Sequence, residues 1–139
     1  MKKIYYLETN DSRRQLEICQ ISVSQEDREI GNPFNTEFYV KAVSGSFAGE
    51  ARMECDYKDL CRFANELYAM YHFTKWEAEI QEPNDGSYLR LYGDRTGHVR
   101  IEGQLFDHAR ENAVIFEFEA DQTECKRMAE KLYQNFGKG

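Results

Sequence analysis

Apolar and polar positions trade places with a period near two along residues 4–8, 16–23, 37–43 and 47–55, which predicts four strands, each offering one face to a core and one to water. Turn-forming stretches at 10–13, 25–35 and 44–46 separate them. Within 16–23 the pattern changes phase: Leu16 and Ile18 share one face while Ile21 and Val23 share the other, as a β-bulge would require. The period then lengthens. Leu60, Phe63, Ala64, Leu67, Tyr68 and Tyr71 form one helical stripe behind Asp56, a natural N-cap. Strand patterning returns at 76–80, 88–92, 99–105 and 113–120, with Pro83-Asn84-Asp85-Gly86 and Gly93-Asp94-Arg95-Thr96-Gly97 as turns. A second helix starts at Asp121, where Glu124 completes a capping-box arrangement, and carries the stripe Cys125, Met128, Ala129, Leu132, Tyr133 and Phe136.

The two helices superpose after a shift of 65 residues, with Asp56, Arg62, Ala64, Leu67 and Tyr68 matched by Asp121, Arg127, Ala129, Leu132 and Tyr133. The same shift lays the strand Ala51-Arg-Met-Glu-Cys over Phe116-Glu-Phe-Glu-Ala, so the correspondence runs through the strand-to-helix junction. The expected fold is α+β: about eight mainly antiparallel strands with two helices packed on the sheet, as a (ββββα)2 duplication. It is expected to be a single domain over residues 1–139, with repeat units 1–72 and 73–139. Each stripe must be buried on a sheet, since apolar burial at roughly 25 cal/mol per Å² is what offsets the entropy of ordering the helix. One long curved sheet and two sheets facing across a pseudo-twofold axis both satisfy this pattern.

The chain has 139 residues, 31% charged and 14% aromatic, and a formal charge of -7. That composition is globular, and the charge disfavours a phosphate backbone as partner while favouring a basic protein. The apolar patch after Lys2 and Lys3 is too short for a secretory or membrane-spanning segment. Cys19, Cys55, Cys61 and Cys125 have neither Cys-x-x-Cys nor zinc spacing and read as reduced core thiols. A cytoplasmic protein with no membrane association is expected.

Signatures of catalysis are absent from the pattern. Glu77 with Glu79 and Glu117 with Glu119 are two apart on strands, a spacing compatible with acid–base pairs but equally that of a solvated sheet face. His72, His98 and His108 have no metal-ligand spacing, and His98 reads as a surface residue opening a strand. Ser44-Gly45-Ser46 is a hairpin turn rather than a nucleophile elbow, and Gly93-x-x-x-Gly97 leads into a strand, with no helix N-terminus to hold phosphate. No catalytic, metal or cofactor site is expected. Tyrosine is enriched at protein interfaces because it offers large area at low entropic cost. The sheet face carrying Glu77, Glu79, Tyr88, Arg90, Tyr92, Glu117 and Glu119 is the candidate partner surface.

Four segments, Asp59-Leu-Cys-Arg-Phe-Ala-Asn-Glu-Leu, Trp76-Glu-Ala-Glu-Ile, Gly97-His-Val-Arg and Phe116-Glu-Phe-Glu-Ala-Asp-Gln-Thr, resemble the WapI-type bacterial immunity proteins and their uncharacterised relatives, over roughly residues 36–136. The resemblance implies a non-enzymatic cytoplasmic protein that binds and neutralises a cognate polymorphic toxin, commonly a basic nuclease domain. It supplies no catalytic residues. The alternatives left open by the residues are an enzymatic or small-ligand-binding α+β domain with a pocket between sheet and helices, and a homodimer formed through exposed strand edges.

Overall fold

The structure, a computed structural model, describes residues 3–83, 86–107 and 109–137. The elements are β1 (Ile4–Glu8), β2 (Arg14–Val23), α1 (Gln25–Glu29), β3 (Thr36–Ser44), β4 (Phe47–Cys55), α2 (Tyr57–Tyr71), β5 (Glu77–Gln81), β6 (Tyr88–Gly93), β7 (His98–Phe106), β8 (Ala113–Asp121) and α3 (Gln122–Phe136). The strands form two separate antiparallel meanders, ordered β1-β2-β3-β4 and β5-β6-β7-β8. A single continuous sheet is thereby excluded, and every predicted strand and both predicted helices are present. Asn84 and Asp85, the centre of one predicted turn, lie outside the described residues.

The phase change in β2 is a bulge: pairing with β3 slips between Cys19 and Ser22, and Gln20 adopts a left-handed φ of 54°. Such a backbone costs about 1 kcal/mol or more for a residue with a side chain. It lets Ile18 and Cys19 both be buried. The helix α1 is an addition to the two expected helices. Ser24 caps it, accepting from the Asp27 N–H at 3.2 Å, but it buries no residue and so left no apolar stripe to read.

The two long helices start where their caps predict. Asp56 accepts from the Lys58 N–H at 3.1 Å, and at α3 the Glu124 carboxylate accepts from the Asp121 N–H at 2.6 Å. Leu60, Phe63, Ala64 and Leu67 of α2, with Cys125, Met128, Ala129 and Leu132 of α3, enter one contiguous core shared with the inner faces of both sheets. Met70 joins them, whereas Tyr68, Tyr71, Tyr133 and Phe136 end half-buried.

The halves are related by a pseudo-twofold arrangement. α2 runs beside β5 and α3 beside β1, while β3 meets β8 and β4 meets β7. A twofold axis brings equivalent residues onto each other, and two pairs separated by the 65-residue shift do touch. Tyr68 and Tyr133 stack with ring centroids 3.8 Å apart and planes 8° from parallel. Gly49 abuts Val114, so closely that a Cβ at 49 would lie 2.4 Å from Val114 Cγ1. Polar ties also join the halves: the Asn10 N–H, after β1, donates to Glu124 of α3, and the carboxylate of buried Glu82, after β5, accepts from the Glu54 N–H of β4.

All four cysteines are free and buried. Burial, reinforced by neighbouring carboxylates, pushes the Cys55 and Cys125 thiols up to about 12, so both stay protonated and unreactive at neutral pH. Titration with a chromogenic disulfide reagent at pH 8 is expected to label these two only on the timescale of unfolding, and to reach four equivalents once denaturant is added. Immediate labelling of Cys55 or Cys125 in the native protein would contradict the packing described.

Candidate functional site

Strand register assembles the outer face of the second sheet into three rows. Glu77, Tyr92, Arg100 and Glu119 lie side by side, then Glu79, Arg90, Glu102 and Glu117, then Gln81, Tyr88, Gln104 and Ile115. The seven residues expected from the sequence are therefore all on one face, while the intervening Ala78, Ile80, Leu89, Leu91, Ile101, Phe116 and Phe118 point into the core. Alternation along β7 and β8 was the signal that could have added Arg100, Glu102, Gln104 and Ile115.

Two guanidiniums organise the face. Arg90 pairs with Glu79 and lies 4.3 Å over the Tyr88 ring, and Arg100 sits 3.5 Å from Glu117, 3.8 Å from Glu102 and 4.8 Å over Tyr92. The hydrogen bond to Glu79 raises the Arg90 pKa further, and desolvation pushes the Tyr92 phenol up. Exposed pairs of this kind are each worth about 0–1 kcal/mol, so they order the side chains more than they stabilise the fold. Glu77 and Glu119 have no ion-pair partner among the described residues. Five carboxylates against two guanidiniums leave the face negative, a field that attracts cations and basic proteins.

Trp76, expected inside a strand, falls one residue before β5 and is 40% exposed. Beside it Phe73, not singled out by the sequence pattern, is 49% exposed, with ring centroids 6.1 Å apart. Between α2 and β5 opens a notch of about 640 Å³ lined by Arg62, Glu66, Lys75, Trp76, Glu77 and Glu79. It continues into a groove of about 770 Å³ along the outside of α2, bordered by Arg28, Tyr57, Lys58 and Cys61.

His98 is exposed at the start of β7, with Nδ1 3.2 Å from Thr96 Oγ1 and 3.8 Å from Asp94. His72 is exposed at the end of α2 against the Tyr68 ring, and His108 lies outside the described residues. Among the described residues no group of three or more His, Cys, Asp or Glu side chains is placed to hold a metal ion. No helix of the described residues is long and apolar enough to cross a membrane.

Comparison with known proteins yields one family and one fold. The family model described as the immunity protein WapI-like family matches residues 6–138. No curated protein matches. The crystal structures of Trypanosoma bruciei MRP1/MRP2 include a chain similar over 96% of this one and 81% of its own length, with a TM-score of 0.51 and 8% identity, a likeness of fold alone.

Proposed function

Because the chain belongs to the immunity protein WapI-like family, we propose that it protects a bacterial cell by binding and neutralising a cognate polymorphic toxin domain in the cytoplasm, through contact and without catalysis. The observation that carries the reading to a surface is the row structure on the second sheet, where carboxylates outnumber guanidiniums and tyrosines lie between them. A nuclease toxin carries a basic face for phosphate. An acidic face that covers it also steers the encounter, because complementary charge raises association rates above those of neutral partners. Nucleic acid is repelled by the same charge.

Four free thiols support a reducing compartment. The mirrored contacts of the two halves support a single domain built from units 1–72 and 73–139. Glu77, Glu79, Tyr88, Arg90, Tyr92, Glu117 and Glu119 form the contact surface in this reading, extended by Arg100 and Glu102.

The decisive experiment is co-expression with the product of the neighbouring gene, scored by growth and by co-purification. Wild-type protein is expected to restore growth and to co-purify. Loss of both outcomes overturns the reading. Glu77→Lys with Glu119→Lys, which breaks no ion pair among the described residues, is expected to slow association about tenfold or more at low salt, with the difference shrinking as salt rises. Unchanged association kinetics would move the contact surface elsewhere.

A further inference from the structure

We infer that the Phe73–Trp76 pair and the notch beside it anchor the partner, by receiving an arginine side chain presented by a basic protein; the inference rests on the toxin-binding reading and names how that surface would grip. A tryptophan half in water in the wall of a concavity, with the Phe73 ring packed against it, is what an interface hot spot looks like before it is covered. Here both are held in place. Phe73 is fixed in a left-handed backbone, φ 61°, by the Phe73 N–H donating to the Met70 carbonyl at 3.1 Å and the Thr74 N–H donating to the Ala69 carbonyl at 2.8 Å. The Trp76 carbonyl accepts from the Gly93 N–H at 2.8 Å, and the indole lies over Gly93, where a Cβ would sit 3.7 Å from indole Cε3. The Phe73 N–H and Thr74 N–H bonds close the C-terminus of α2 with a left-handed cap, which fixes where the Phe73 ring leaves the helix.

Charge selects what enters the notch. Arg62 is engaged by Asp59 at 2.9 Å, Lys75 by Glu66 at 3.9 Å, and Glu79 by Arg90, which leaves Glu77 beside Trp76 as the carboxylate without an ion pair among the described residues. An aromatic face next to an unpaired carboxylate matches a guanidinium, which is planar enough to stack on the indole while donating two hydrogen bonds to the carboxylate. Lysine, a point charge with a tight hydration shell, uses only part of that arrangement. Glu77 also opens the row that runs through Tyr92 and Arg100 to Glu119, so the anchor is continuous with the acidic face.

Trp76 is the sole tryptophan, so its emission reports on the notch. Fluorescein-labelled octa-arginine, with octa-lysine and octa-glutamate as comparators, is the probe. Octa-arginine is expected to change the Trp76 emission saturably, octa-lysine to bind about tenfold more weakly, and octa-glutamate to leave it unchanged. By anisotropy, Trp76→Leu and Glu77→Gln are each expected to weaken octa-arginine binding about three- to tenfold, while Glu50→Gln on the first sheet leaves it as in wild type. Unaltered emission at saturation, or equal binding by wild type and both notch variants, overturns the anchor. That failure is separable from failure of the immunity reading. Growth rescue and co-purification that survive Trp76→Leu undiminished would keep the toxin partner and remove the anchor, and peptide binding at Trp76 without rescue would do the reverse.

Discussion

Phe63→Ala is expected to lower the unfolding free energy by about 3–5 kcal/mol, the range for deleting a fully enclosed aromatic side chain. Phe63 has no exposed surface and occupies the centre of the α2 stripe, where Leu60 and Leu67 flank it in the shared core. The loss contains both the transfer of the ring to water and the cavity left behind, because helices and sheets fixed from several sides relax only partly. Urea unfolding followed by circular dichroism measures it as a lower midpoint with an unchanged slope. Phe136→Ala serves as the contrast, since its half-buried ring should cost clearly less. A loss below about 1 kcal/mol at Phe63 would mean that the stripe is not packed as described.

The second large effect is conditional. Gly49→Val alone is expected to destabilise by about 1–3 kcal/mol or more, because its side chain would overlap Val114 of the other sheet. Combined with Val114→Gly it should recover most of that loss. Positions 49 and 114 are equivalent under the pseudo-twofold arrangement, so the exchange moves the same side chain to the other side of the same contact. The coupling from a double-mutant cycle is the measurement, and additive losses would refute the equivalence.

Much of this architecture was legible in the chain because one physical rule, the burial of one face per element, acts on nearly every segment. Leu16 and Ile18 against Ile21 and Val23 disclosed a bulge before any pairing was known. Asp56 and Asp121 marked two helix starts, each within a residue of the first helical position. The placement of the candidate face was legible to the same depth, since alternation alone puts Glu77, Glu79, Tyr88, Arg90, Tyr92, Glu117 and Glu119 on a wet face, and register then makes them neighbours. What escaped lacks periodicity. The helix Gln25–Glu29 is held by its Ser24 cap and buries nothing. The aromatic pair sits in a turn whose geometry depends on a left-handed Phe73, and nothing local to the sequence requires that conformation. Glu82 reads as a turn residue, yet it is buried because its carboxylate meets a backbone donor 28 positions away.

The contacts of α2 with β5 and of α3 with β1 bear on when the protein becomes competent during its own synthesis. A ribosome that has made only the first half has produced a helix whose neighbouring strand does not yet exist, and a β1 edge still waiting for α3. Until the missing piece emerges, such a chain exposes apolar surface that the finished fold buries. The fold, and with it any surface built on the second sheet, is therefore complete only once translation has passed α3.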